Sequence, residues 1–146
     1  MAGLHVRMVH GDKMIVNGAA LHFLSDADLR IANKVRFIYG RQLMSPAEVT
    51  TTARRIYFAV QNAYVGEPNE RTDATVEARL LIGMFREATL SATARQMLDR
   101  LLSLLEAGHY YQALKVAARI VRHEDAVHAF AASAKDSVSA VYETFT

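Results

Sequence analysis

Apolar and polar positions alternate along the first forty residues and then change period. Leu4, Val6 and Met8 alternate with polar neighbours, as do Val35, Phe37 and Tyr39, and a period of two marks half-buried strands. Between them, Ile15 and Val16 run into Asn17-Gly18, a dipeptide that tolerates the positive φ angles of a tight hairpin turn. Leu21 to Leu24 ends at Ser25-Asp26, a second turn signal, and Leu29 and Ile31 alternate briefly before Asn33. Four or five short antiparallel strands fit within residues 3–43.

The period lengthens after Ser45. Ser45-Pro46-Ala47-Glu48 has the form of a helix start, with a Ser cap, Pro at the first helical position and Glu three residues after the cap. Thr50, Thr51 and Thr52 weaken it, so the pattern predicts a short turn and then a stronger helix from about Ala53. Ile56, Tyr57, Val60 and Tyr64 share one face of that helix, and Gly66 and Pro68 stop it. Val76, Leu80, Met84 and Ala88 make one apolar stripe, Leu98, Leu101 and Leu105 a second that ends at Gly108, and Leu114, Ala117 and Val121 a third. Val127, Phe130, Ala134, Val138, Val141 and Phe145 keep the helical period to the end. Gly83 costs a helix interior about 1 kcal/mol relative to Ala, which fits a close crossing there. The reading is an α+β chain: a β lobe over residues 1–44 and a helical lobe of four or five helices over 45–146, packed as one compact unit.

Composition narrows the class without naming it. The 146 residues are 51% hydrophobic and 22% charged, with 7 Gly and 2 Pro, which is globular rather than disordered or low-complexity. With 0 Cys there is no disulfide framework, thiolate metal site or Cys nucleophile. His5, Arg7 and His10 interrupt the stretch a signal peptide would need, and no window of about 18 apolar residues could span a membrane. A cytoplasmic protein is expected.

Charge divides along the same boundary as the pattern. Residues 1–65 carry eight basic and four acidic side chains, whereas the remainder carries nine basic and eleven acidic, so the total of +2 hides a basic half. A basic half suits a polyanion, because neutralising phosphates releases counterions; it equally suits an ordinary solvated surface. Catalytic signatures are absent. His123, Glu124 and His128 resemble HExxH until the spacing is read: the histidines are five apart, about 140° around a helix, and the pair Glu124/His128 reads as a solvated i,i+4 contact. There is no phosphate-binding glycine loop and no GxSxG elbow, and no cofactor or metal is expected.

Two stretches stand out. Arg54 and Arg55 sit in the first turn of a helix, where the macrodipole disfavours positive charge, so they ask for an anion. Either a carboxylate such as Glu48 or Asp73 or a phosphate would serve. In Gly108-His109-Tyr110-Tyr111, glycine stops one helix and three ring side chains open the next. Such a cluster fits interhelical packing or a protein-contact surface.

The order GDKMIVNGA (Gly11–Ala19), TTARRIYFAV (Thr51–Val60) and GHYYQALKVAARIVRHE (Gly108–Glu124) resembles the FlbT family of alphaproteobacterial flagellin regulators, from about Val9 to Glu124. The resemblance implies a non-enzymatic regulator that acts on the 5′ untranslated leader of flagellin mRNA, controlling translation and decay. Either sign, repression or activation, occurs among such proteins. FlaF and flagellin are implied as protein partners, which makes an adaptor or chaperone the alternative role. The tail after Asp125 falls in no family block.

The β lobe also resembles carbon storage regulators of the CsrA type, intertwined dimers that bind messenger leaders. Their RNA-contacting Arg would fall at Tyr39, followed here by Gly40, so that role does not carry over. Arg36 and Arg41 flank the position, and Tyr39 itself can stack a base. The expected RNA contacts are Lys34, Arg36, Tyr39, Arg41, Arg54 and Arg55; the expected protein contacts are His109, Tyr110 and Tyr111. The edges of a lone small sheet could be covered by strand exchange in a homodimer or by the chain's own helices, and the sequence leaves both open.

Overall fold

A computed structural model describes residues 3–145, with side chains through Lys135. Five strands, β1 (Leu4–Met8), β2 (Lys13–Val16), β3 (Ala19–His22), β4 (Ala27–Ile31) and β5 (Phe37–Tyr39), precede four α-helices. The helices are α1 (Thr52–Val65), α2 (Pro68–Ala88), α3 (Ala92–Glu106) and α4 (Tyr110–Phe145). The arrangement is α+β. No helix of the described residues is long and apolar enough to cross a membrane.

The strands form two small antiparallel sheets, β1 with β4 and β3-β2-β5. The β2–β3 hairpin turns at Asn17 (φ 48°) and Gly18 (φ 87°), two positive angles in succession. Space also demands the glycine, since a Cβ there would lie 2.9 Å from Glu67 Cγ. The Asn17 side chain accepts from the Arg36 backbone N–H at 3.0 Å, and the Asn17 N–H donates to the Arg36 carbonyl at 2.8 Å. The hairpin is thereby stitched to the start of β5.

The phase of β5 differs from the sequence expectation. Ile38 is fully buried in the helical core, whereas Phe37 is half-buried and Tyr39 exposed. Pairing Ile15 with Ile38 on β2 puts both on the helix side of the sheet, so the alternation of Val35, Phe37 and Tyr39 marks the outward face. A second, smaller core holds Val6, Met8 and Met14.

Ser45-Pro46-Ala47-Glu48 makes one 3-10 turn, and the α-helix starts at Thr52 with Thr51 as its cap: the Thr51 hydroxyl accepts from Arg54 N–H at 3.2 Å. The faces of α1 and α3 follow the pattern, with Ile56, Val60, Leu98, Leu101 and Leu105 buried. The face of α2 does not. Val76, Leu80 and Met84 are exposed, and the helix buries Ala74, Ala78, Leu81 and Ile82 on the opposite side. Small alanines let α2 approach α1 closely, with Leu81 and Ile82 filling the space beside them. Gly83 is not a crossing point within the chain, because nothing lies within 4 Å of where its Cβ would be. Of the C-terminal stripe, Val127 and Phe130 are exposed, while Val138, Val141 and Phe145 lie outside the described side chains.

Candidate nucleic-acid interface

The end of β5 and the start of α4 meet. Tyr39 and Tyr110 are 71 residues apart in sequence, and the turn after β5 together with α1 brings these ends together. After Tyr39 the chain turns through Gly40–Gln42, with Gly40 at φ 62°. Tyr57 on α1 donates its hydroxyl to the Gln42 carbonyl at 2.7 Å, and Gln42 Nε2 donates to the Tyr111 hydroxyl at 3.2 Å. Burial pushes the Tyr57 phenol up to about 12, so it stays a donor throughout the neutral range.

Gln61 holds the following segment. This buried side chain accepts from Met44 N–H at 2.8 Å and donates to the Met44 carbonyl at 3.0 Å, satisfying both backbone groups of one residue in the chain leaving the sheet. It was not among the residues expected from sequence. Its signal was a single amide inside the buried arc of α1.

The resulting surface is aromatic and basic. The Phe37 and Tyr39 rings stack with centroids 6.1 Å apart and planes within 8°. Tyr64 and Tyr111 pack at 5.8 Å, tilted by 47°. These side chains, with Leu4, Arg41 and Gln42, line a cleft of about 530 Å³. Arg36 places its guanidinium 5.6 Å from the centre of the Tyr110 ring, and the Lys115 ammonium lies 4.8 Å from that of Tyr111. Burial raises the Tyr64 hydroxyl, opposed by the nearby Phe37 backbone and by Arg36. A neighbouring cleft is lined by Lys34, Arg36 and Arg71.

The sequence-expected residues therefore divide. Tyr39 and Arg41 line one cleft with Tyr111, and Arg36 lies against Tyr110, so the strand read as an RNA contact and the aromatic run read as a protein contact meet; Lys34 lies in the neighbouring cleft with Arg36 and Arg71. Exposed His109 precedes that run at the start of α4. Arg54 and Arg55 are elsewhere, where α1 begins against the middle of α4, roughly 22 Å along α4 from Tyr110 at 1.5 Å per residue.

Arg54 is engaged within the fold. Its guanidinium makes two hydrogen bonds to Asp125, at 2.8 and 2.9 Å, and lies 3.8 Å from Glu124. The hydrogen bonds from Arg54 hold the Asp125 carboxyl below its usual value and raise Arg54 in turn. The carboxylate that Arg54 requires is thus Asp125 rather than Glu48 or Asp73, and Arg55 is left exposed.

Glu124 is not half of a solvated pair with His128. It is buried, and its Oε2 accepts the Ala53 N–H at 3.1 Å, capping α1 from another helix. His123 shares a 3.1 Å hydrogen bond with Ser91 Oγ. No group of three or more His, Asp or Glu side chains among the described residues could hold a metal ion.

The fold and this surface define a small α+β protein, two sheets and a helical bundle that together present paired aromatic rings beside arginines. The chain belongs to the FlbT family: the family model described as flagellar protein FlbT matches residues 4–128. It is 30% identical over 109 residues to a probable flagellum biosynthesis repressor protein FlbT 2 of Bradyrhizobium diazoefficiens, covering 72% of this chain and 76% of that one. A probable flagellum biosynthesis repressor FlbT of Agrobacterium fabrum is 27% identical over 112 residues, 77% of this chain and 74% of that one. Its counterpart in Brucella ovis is 32% identical over 109 residues, 72% and 68%. No solved structure matches the chain, and the CsrA likeness of the β lobe rests on its strand pattern alone.

Proposed function

We propose that this chain regulates flagellin synthesis after transcription, by binding the 5′ untranslated leader of flagellin mRNA and controlling its translation and decay. The relatives named as flagellum biosynthesis repressors support the regulatory part of this reading. The observation that carries the RNA part is the convergence of Arg36, Tyr39 and Arg41 with Tyr64, Tyr110 and Tyr111 on one surface. Aromatic faces flanked by cations suit unpaired bases, and single-stranded loops present those where an A-form duplex does not. In this assignment Lys34, Arg36 and Arg41 meet phosphates and Tyr39 stacks a base. Arg54 is a fold residue, and Arg55 an outlying charge.

The alternative is an adaptor or chaperone for flagellin or FlaF that uses the same aromatics. In its favour, Tyr111 is 38% exposed beside Lys115, a tyrosine–cation pair of the kind that anchors protein interfaces.

Titration of labelled flagellin leader and of scrambled RNA at about 0.15 M salt separates the two readings. RNA recognition requires a preference for the leader. Tyr39→Ala should weaken that binding by about 5- to 150-fold, the equivalent of 1–3 kcal/mol of stacking. Arg41→Ala should lower the salt slope by about 0.7 per lost phosphate contact on a single strand. Equal, weak binding to both RNAs, unaltered by either substitution, overturns the RNA assignment and moves the test to flagellin and FlaF.

A further inference from the structure

The outward face of α2 and the projecting part of α4 are both apolar and both uncovered. Val76, Leu80, Met84, Leu90, Val127 and Phe130 are exposed by 48–95%. They form a continuous surface, because Met84, Leu90 and Val127 line one groove of about 690 Å³ between α2 and α4. Val76 and Leu80 extend it along α2, and Phe130 extends it along α4. Together these side chains expose roughly 700 Å², above the few hundred Å² usual for a monomer's largest patch and close to the about 800 Å² each partner contributes to a standard interface.

We infer that the projecting α4 of a second copy of this chain covers the outward face of α2, reciprocally, in a two-fold dimer. Length is the first argument. The exposed stretch of α4 from Ala126 to Lys135 rises roughly 14 Å, and the exposed stripe of α2 from Val76 to Met84 spans roughly 12 Å. Each copy thus has one exposed helix stretch and one exposed helix face of similar length, the self-complementary requirement of an isologous interface.

Charge is the second. Asp73, Glu77 and Glu87 share the arc of Leu80 on α2, while Arg71, Arg79 and Arg86 lie more than a quarter turn away. The exposed stretch of α4 between Asp125 and Asp136 carries no carboxylate, and Lys135 is its one Lys or Arg.

Gly83 is the third. It lies beside Leu80 and Met84 on the outward side of α2 and touches nothing in its own chain, so the cost of a mid-helix glycine has no internal reason. A helix crossing from outside supplies one. The facing segment of α4 is rich in small side chains, with Ala126, Ala129, Ala131, Ala132 and Ala134, which permit the same close approach. This interface uses no strand edge, and so differs from an exchange of strands between β lobes.

The test is the solution mass of the full chain by light scattering at about 50 µM, together with disulfide trapping. The expected mass is twice 16.2 kDa. Gly83→Gln and Phe130→Asp should each return it to the single-chain value with unchanged circular dichroism, since neither position is packed within the chain. The chain has no cysteine, so Leu80→Cys mixed with Phe130→Cys should give a cross-linked pair under oxidation. Leu80→Cys mixed with Ser103→Cys should not. A single-chain mass for the unaltered protein, or a dimer that survives both Gly83→Gln and Phe130→Asp, overturns the inference.

Discussion

Removing the Glu124 carboxylate should loosen the start of α1. Ala53 is fully buried, and its N–H donates to Glu124 Oε2 at 3.1 Å. Glu124→Ala leaves that donor unpaired in the core, which costs about 1–3 kcal/mol. It also removes a negative charge from a helix N-terminus, worth about 0.3–1 kcal/mol. Part of this is returned, because Glu124 Oε1 is itself buried without a hydrogen-bond partner and its desolvation cost disappears with the side chain. Arg54 keeps its two bonds to Asp125, so no guanidinium is stranded. The net is a loss of about 2 kcal/mol, or roughly 1 M in urea midpoint at a slope near 2 kcal/mol/M. Glu124→Gln retains an oxygen for Ala53 and should lose about half as much. Equilibrium unfolding in urea, followed by circular dichroism, reads both variants. A Glu124→Ala midpoint within about 0.2 M of the parent would refute the claim that α4 caps α1.

Gln61→Ala removes both side-chain bonds to Met44, and should cost about 2–3 kcal/mol in the same urea assay for two part-buried hydrogen bonds. The Arg54–Asp125 pair should make stability depend on pH in the acid range. The folded-state value of Asp125 lies below its unfolded value, so the contribution is present at pH 7 and is lost as pH falls through the folded value. Asp125→Asn should therefore be less stable than the parent at pH 7, by no more than about 1 kcal/mol for so exposed a carboxylate, and the difference should shrink as pH falls toward about 2. A difference that persists unchanged at pH 2 would rule out the ion pair as its cause.

What could be read from the sequence was local. Asn17-Gly18 announced a hairpin because two successive positive φ angles leave few other residues. Leu98, Leu101 and Leu105 announced the inner face of α3 because no second apolar arc competes there. Where two arcs compete, the regular stripe misled: Val76, Leu80 and Met84 keep the helical period, yet packing on α1 buries Ala74, Ala78, Leu81 and Ile82. On β5, Val35, Phe37 and Tyr39 masked Ile38, because register with Ile15 is a property of the partner strand. At the site, the residue types were legible and their grouping was not. Gln42 and Tyr111 meet across 69 residues, and Arg54 meets Asp125 across 71. The carboxylates near Arg54 in sequence, Glu48 and Asp73, gave no hint of the one it uses.

The two arginine-bearing regions differ in what their charges do, and the difference bears on recognition. Arg54 is saturated by a carboxylate from another helix, so offering it a phosphate means breaking two short hydrogen bonds within the fold. Arg36 and Lys115 are held against tyrosine rings, contacts that fix their position without neutralising them. A cation over a ring keeps its charge available to a phosphate, and the ring's other face or edge remains available to a base. The connection Tyr57–Gln42–Tyr111 then sets the spacing between Tyr39 on one element and Tyr111 on another. A ligand meeting this surface finds cations and rings already positioned, and less of its binding energy is lost to ordering them. Of the conspicuous pair, Arg54 is therefore engaged in the fold while Arg55 stays exposed, and under the proposed RNA reading the less conspicuous run from Arg36 to Arg41 supplies the contacts.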